Sequence, residues 1–241
     1  MYEFRTRVRY SETDENGALK IPALINYFQD CSTFHSMDVG LTVPYLESLH
    51  RAWLLSYWDI YIDRIPSLGE TLTIGTSPHA FRGVLARRNF WIQDAQQNFI
   101  ARADSVWFLF DSDRQRPVRI EAGMIEPFGE MEDILKLPES NRRVDVPDSL
   151  NEAPAIQVAP HHIDSNHHVN NAQYIAIAND VLANAADIRK NFTGGRIRVE
   201  YRKAAVLSDI LIPKYGKTTD GALIVSLQDE TGEVYCNAEF R

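Results

Sequence analysis

The sequence is short of the residues that announce the commoner kinds of site. Cysteine occurs twice in 241 residues, as Cys31 and Cys236. Two thiols so far apart make no disulfide framework and no zinc-ligand spacing, and each reads as a small buried hydrophobe. No apolar run approaches the roughly 18 residues of a membrane-spanning helix. No G-x-S-x-G string occurs, which excludes a serine hydrolase built on that strand–turn–helix elbow. An excess of positive charge is missing too: the formal net charge is −8. Residues 121–160 hold 3 Lys or Arg against 9 Asp or Glu, while the stretches on either side are near neutral. General nucleic-acid binding is therefore not expected. Met1-Tyr2-Glu3-Phe4-Arg5 already reads as strand. The expectation is of no signal or transit peptide, and of a cytoplasmic protein of bacterial rather than plastid-targeted type.

What is present is an ordered set of strands and two helices. Residues 4–10 alternate as a strand, and Thr13-Asp14-Glu15-Asn16-Gly17 is a loop. Pro22 suits a first helical turn, and Leu24, Phe28, Cys31 and His35 recur at helical spacing up to Gly40. Strands rich in aromatic and β-branched residues follow at about 52–62, 70–79, 84–93 and 98–110. Residues 121–152 are acidic and interrupted by Pro127, Pro138 and Pro147. They read as an inter-domain linker with a short helix at 129–136. The second half has a small-residue helix from Ala172 to about Asp187, then strands at about 196–203, 209–216, 221–228 and 233–240.

The second half repeats the first. Offset by 150 positions, Val8 falls on Val158, Asp14 on Asp164, Asn16 on Asn166, Ile25 on Ile175 and Asp30 on Asp180. Offset by 139, Leu68-Gly69-Glu70 falls on Leu207-Ser208-Asp209. Matching element order turns these few identities into a repeat. One long helix wrapped by an antiparallel sheet, twice over, is the layout of an α+β tandem (double) hotdog. The expected parts are a first hotdog at 1–120, the linker at 121–152 and a second hotdog at 153–241.

Chemistry concentrates in His161-His162-Ile163-Asp164-Ser165-Asn166-His167-His168-Val169-Asn170-Asn171, which holds four of the seven histidines. Asp164, Asn166 and His168 alternate, so an extended backbone would point them to one side. Free N–H groups and the positive end of the following helix would lie close by. An acid, an amide, an imidazole and an anion-friendly helix start suit attack on a carbonyl and stabilisation of the oxyanion. The plainer reading makes Asp164 and Asn166 an Asx-turn and cap, the role expected of Asp14 and Asn16, where position 18 is alanine. Asn170 and Asn171 are read first as capping residues. No second ligand cluster accompanies the histidines, so no metal is expected.

Ile163-Asp164-Ser165-Asn166-His167-His168-Val169-Asn170-Asn171, followed by Tyr174-Ile175, resembles the signature of acyl-ACP thioesterases, the plant fatty-acyl enzymes and their bacterial relatives. Val199-Glu200-Tyr201-Arg202-Lys203 resembles the family's next signature, and Arg9-Tyr10-Ser11-Glu12-Thr13-Asp14 the start of its first hotdog. The resemblance implies hydrolysis of a fatty acyl chain from acyl carrier protein in fatty acid biosynthesis, with no cofactor. Catalysis would lie in the second hotdog, on Asp164, Asn166 and His168, and much of the acyl-chain pocket in the first. One departure stands out. Where the plant enzymes carry a catalytic glutamate, often followed by cysteine, this chain has Ala204 and Ala205. Glu200, four residues earlier on the same strand face, is the candidate replacement carboxylate.

Read residue by residue, the site offers no nucleophilic serine or cysteine, which leaves water or a carboxylate to attack. Asp164 would be base or nucleophile, and His168 would pass a proton to the leaving thiolate. Backbone N–H groups near Asn171 and Ala172 would complete an oxyanion site. Trp53 and Tyr57, in an aromatic run, are candidates to line an acyl tunnel, or simply core, and Asn171 is a candidate substrate contact. Arg82, Arg87 and Arg88, with Arg114, Arg116 and Arg119, form short basic clusters that could dock an acidic carrier protein. A homodimer is compatible with the sequence, which does not fix the oligomeric state. An acyl-CoA thioesterase, an enoyl-thioester hydratase and a non-catalytic acyl-thioester sensor remain open alternatives.

Overall fold

The computed structural model describes residues 1–185 and 194–241. They form two compact units, Met1–Glu139 and Ser140–Arg241. Among the described residues, no helix is long and apolar enough to cross a membrane.

The first unit opens with strand β1 (Tyr2–Arg7), shorter than expected because Tyr10–Glu12 winds into a single 3-10 turn. Helix α1 (Ile21–Asp38) follows, with Pro22 in its first turn. Its buried stripe of Leu24, Ile25, Phe28 and Cys31 is sealed completely, each large side chain contributing about 1.5–3 kcal/mol of transfer free energy. A second helix was not legible in the sequence. It is α2 (Val43–Ser48), six residues long, capped by Thr42 through the N–H of Tyr45. Then come β2 (Arg51–Ile62), β3 (Thr71–Arg82), β4 (Leu85–Gln93), β5 (Phe99–Asp111) and the two-residue β6 (Arg116–Pro117). The sheet is antiparallel in the order β1-β3-β4-β5-β2, with β6 on β5. Phe28 of α1 meets Trp58 at 5.8 Å and Phe90 at 5.3 Å between ring centroids, the centre of the core. Gly75 is required by a close approach: a Cβ there would lie 2.0 Å from the Trp91 ring across the β3–β4 pair.

The segment expected to be a linker is docked at both of its ends. Residues 122–124 and 126–128 form two 3-10 turns, and Met124 and Phe128 are buried with Leu41, Leu46, Ala86, Leu109 and Ile120 in one apolar cluster of the first unit. No helix forms at 129–136, where the backbone only bends. Its place is held by a polar contact, the N–H of Leu135 donating to Asn89 Oδ1 at 3.2 Å. The later part belongs to the second unit. The carbonyls of Asn141 and Arg143 accept from Arg198 Nη2 at 2.6 and 2.7 Å. Acidic, proline-broken composition conceals the few apolar side chains that anchor this stretch.

The second unit holds short strands β7 (Asn151–Glu152) and β8 (Ile156–Gln157), helix α3 (Asn171–Asn184), and strands β9 (Gly195–Tyr201), β10 (Ile210–Lys217), β11 (Leu223–Gln228) and β12 (Val234–Phe240). Asp187, where the helix was expected to end, lies outside the described residues. The sheet order is β9-β12-β11-β10-β7, antiparallel, with β8 also on β10. Ala172, Ile175 and Ala178 of α3 are fully buried, as are Ile197, Val199, Leu211, Ile224 and Val225 of the sheet.

The repeat read from sequence is written in the hydrogen bonds. Val8 N–H donates to Glu70 O at 3.0 Å, and Val158 N–H to Asp209 O at 2.8 Å. Gly69 N–H reaches Val8 O at 2.9 Å, and Ser208 N–H reaches Val158 O at 3.1 Å. Leu19 N–H bonds Pro66 O, and Val169 N–H bonds Ala205 O, both at 2.9 Å. Each pair obeys the offsets of 150 before the helix and 139 after it.

Candidate active site

The central motif is a tight turn, not an extended strand. Ile163 and Val169 form an isolated antiparallel bridge that closes its neck. Inside it, Asp164 N–H donates to His168 O at 2.9 Å and His167 N–H to Asp164 O at 3.0 Å. His167 takes a positive φ of 61°, and that reversal breaks the strand alternation on which the sequence reading relied. Asp164 and His168 are therefore paired through the backbone across the neck, while Asn166 sits exposed at the tip. Asp164 Oδ1 accepts from Asn166 N–H at 2.8 Å, an Asx-turn. Its Oδ2 makes no hydrogen bond among the described residues. The Asx-turn reading thus accounts for one carboxylate oxygen and leaves the other without a hydrogen bond among the described residues.

The first unit holds a copy of the same turn, with Ala18 at the place of His168. Thr13 and Leu19 form its bridge. Asp14 Oδ1 accepts from Asn16 N–H and Ala18 N–H, both at 2.9 Å. Its positive-φ position is Gly17, at 73°. A second such pair lies at the following corner, Gly69 at φ 80° against Ser208 at φ 74°.

Helix α3 starts on Asn170, whose Oδ1 accepts from Ala172 N–H at 2.9 Å. That is the capping role expected, and it corrects another expectation. The Ala172 N–H is engaged by the cap and is not offered to an oxyanion. Asn171, the first helical residue, accepts on its carbonyl from the Tyr201 hydroxyl at 2.9 Å. Tyr174, one turn on, accepts on its hydroxyl from Ala205 N–H at 2.8 Å. Burial holds both phenols above their ordinary range, so both are neutral hydroxyls. Ala205 in turn bonds Val169 through its carbonyl. Ala204, the position where the family resemblance leads one to look for glutamate, is thus an exposed residue next to a peptide tied to the His168 turn.

Glu200 on β9 is otherwise occupied. Its Oε2 accepts from Val144 N–H at 3.2 Å and from Asn237 Nδ2 at 3.4 Å, and Oε1 lies 4.0 Å from Arg202 Nε. These contacts fasten residues 140–144 to the sheet. Of the aromatic candidates, Tyr57 is buried, 3% exposed, just past a β-bulge that shifts register after Leu55. Trp53 is partly buried, packed on the apolar cluster with its ring 6.4 Å from Phe81. The bulge breaks the alternation expected of residues 53–58.

The histidines divide by role. His162 Nδ1 accepts from Ala159 N–H at 3.0 Å, holding the 3-10 turn ahead of the motif. Glu12 does the same for Arg9 N–H at 2.8 Å in the first unit. Burial, then the neighbouring His161, lowers the His162 pKa and keeps that nitrogen a free acceptor. His161 and His167 are exposed. The arginine clusters also divide. Arg88 is buried, its Nη1 bonded to His35 Nδ1 and Thr76 Oγ1 and its guanidinium over the Phe128 ring, so it cannot dock a partner. Arg87 pairs with Asp104, which also takes His79 Nε2 at 2.8 Å. That His79–Asp104 contact joins residues 25 apart on β3 and β5, across the intervening strand β4, and no local sequence signal could have found it. Arg82, Arg116 and Arg119 are exposed. Burial raises the thiol pKa of Cys31 to about 12 and that of Cys236 as well, so neither is a nucleophile.

Comparison with known proteins agrees with this layout. A model of the acyl-ACP thioesterase N-terminal domain matches residues 1–128, and one of the C-terminal domain matches residues 148–240. The chloroplastic palmitoyl-acyl carrier protein thioesterase of Gossypium hirsutum is 26% identical over 180 residues, covering 70% of this chain and 44% of that protein. An acyl-[acyl-carrier-protein] hydrolase of Cuphea viscosissima is 24% identical over 182 residues, with the same coverage, 70% and 44%. The chain spans less than half the length of these curated relatives. The structure of an acyl-ACP thioesterase from Bacteroides thetaiotaomicron superposes with a TM-score of 0.84 at 23% identity, over 99% of this chain and 96% of that one. The 12:0-ACP thioesterase from Umbellularia californica gives 0.78 at 18% identity, over 100% and 96%. At such identities these superpositions establish a common fold, the α+β double hotdog expected from the repeat.

Proposed function

The chain belongs to the acyl-ACP thioesterase family, and from that premise we propose that it hydrolyses the thioester of fatty acyl-acyl carrier protein to release a free fatty acid. The observation that carries the proposal is the neck of the 163–169 turn, where Asp164 Oδ2 makes no hydrogen bond among the described residues and the Asp164 N–H bonds the His168 carbonyl. In this reading the Asp164 carboxylate takes a proton from the attacking water. The oxygen adds to the thioester carbon, and the tetrahedral intermediate expels the thiolate, which His168 protonates. Asn166, at the tip, orients the acyl group, and Asn171 lies at the helix edge of the same site. A thioester has a good leaving group, which lets a small site suffice.

The proposal assigns the thioester chemistry to the second unit; in the first, Trp53 borders the apolar cluster of Leu41, Leu46, Leu109, Met124 and Phe128. It takes Tyr57 as core rather than substrate contact, because the residue is sealed inside. Exposed Arg82, Arg116 and Arg119 suit an acidic carrier protein. Two unpaired thiols fit a reducing compartment, and we place the protein in the cytoplasm.

The test is incubation with a panel of acyl-carrier proteins and the matching acyl-CoAs, with the released acids identified by mass spectrometry. A higher kcat/KM on the carrier-protein form supports the proposal. Preference for CoA would replace the carrier, and tight binding without thiol release would replace the reaction with sensing.

A further inference from the structure

The two copies of the turn differ in one coupled pair of positions. In the first unit the carbonyl of Pro66 accepts from Leu19 N–H; in the second the carbonyl of Ala205 accepts from Val169 N–H. Proline has no N–H to satisfy, and the helix residue at the matching place is Leu24, apolar and fully buried. Ala205 does have an N–H, and it too is fully buried. A buried N–H requires a partner, and the residue offset from Leu24 is Tyr174, whose hydroxyl supplies it at 2.8 Å. A second hydroxyl crosses the other way. Tyr201, at the end of β9, donates to the Asn171 carbonyl in the first turn of α3, where the matching residue of the first unit is Ile62. The two phenol rings meet edge to face at 5.7 Å. Thus a pair of tyrosines ties the helix that follows His168 to the strand and segment that precede β10. Only the unit carrying the histidine has it.

We propose that Tyr174 is a positioning residue for hydrolysis. By fixing the Ala205 peptide it holds the Lys203–Val206 segment and, through the Ala205–Val169 bond, the neck of the turn that presents Asp164 and His168. The inference rests on the thioesterase reading above. Tyr174 touches no reacting atom; it acts by keeping two backbone segments in register.

The experiment compares wild type, Tyr174→Phe and the double variant Tyr174→Phe/Ala205→Pro on an acyl-carrier-protein substrate. Tyr174→Phe is expected to lower kcat about tenfold or more with little change in KM. It should also alter the pH profile of kcat, which reports the setting of His168. The double variant removes the N–H together with its acceptor and copies the Leu24–Pro66 arrangement. It is expected to recover the melting temperature lost in the single variant, and kcat with it. A single variant with wild-type kcat per folded molecule and an unchanged pH profile would reduce the brace to fold stability and overturn the inference. Recovery of melting temperature without kcat would overturn it too, by assigning the hydroxyl itself to the chemistry. A wild type that hydrolyses no acyl-carrier protein overturns the proposed function instead, a result visible before any variant is made.

Discussion

The backbone N–H of Val169 donates to the carbonyl of Ala205 at 2.9 Å, which sets Ala205, the chain neighbour of Ala204, beside the residue after His168. A carboxylate at position 204 would therefore project from an exposed segment already anchored to the turn. Ala204→Glu is expected to fold normally and to raise kcat on acyl-carrier protein by about tenfold, below the roughly 10²–10⁴-fold that a fully aligned general acid–base group contributes. Steady-state kinetics on parent and variant decide it. No gain would mean that the chain has settled on chemistry without a second carboxylate.

Asp164 both shapes the turn and is proposed to act on water, and the two roles can be separated. Asparagine at 164 can still accept the Asn166 N–H, so Asp164→Asn is expected to keep the melting temperature. It should lose activity on the order of 10²–10⁴-fold, as should His168→Ala. Wild-type turnover in either variant would remove that residue from the mechanism.

Glu200 is bonded to the Val144 N–H and the Asn237 amide. A glutamine keeps an oxygen for the Val144 contact, so Glu200→Gln is expected to retain kcat close to the parent value. A large loss would reinstate Glu200 as the missing carboxylate.

Acid stability should depend on His35. Burial, then the nearby Arg88 charge, lowers its pKa to about 3, while in the unfolded chain it titrates near 6.5. Between those values the unfolded state binds the extra proton, so stability present above about pH 6.5 is lost as pH falls toward 3, on the order of a few kcal/mol. His35→Gln keeps an acceptor for Arg88 Nη1 and cannot titrate. Its melting temperature should fall less steeply over that range than the parent's, and parallel curves would refute the assignment.

Much of this fold was legible because its signals are local. Pro22 and the Leu24–Phe28–Cys31–His35 spacing mark α1, and the aromatic and β-branched runs mark the long strands. The repeat was legible because matched backbone bonds demand matched residues at Asp14 and Asp164. What escaped was set by contact at a distance. Six-residue α2 has too few residues for a periodicity, and Met124 and Phe128 sit in an acidic stretch whose composition says linker. Asp164, Asn166 and His168 do share one local segment, but its geometry was misjudged. Alternation assumes a strand, and a single positive φ at His167 converts the segment to a turn. The occupation of the Ala172 N–H by Asn170 was implicit in the capping preference of asparagine, yet a helix start reads equally well as an open anion site.

The left-handed corners carry a different lesson. Gly17 and Gly69 occupy them in the first unit, where the conformation costs nothing in Cβ sterics; His167 and Ser208 occupy them in the second. Each such side chain sacrifices roughly 1–2 kcal/mol. At these two matched corners the second unit is then the less relaxed one, and thermostability is there to be recovered at two known addresses. His167→Gly and Ser208→Gly should each raise the melting temperature or leave it level. Whether activity survives the relaxation would say how far natural selection has traded rigidity of the scaffold for the choice of side chain at the rim of the site.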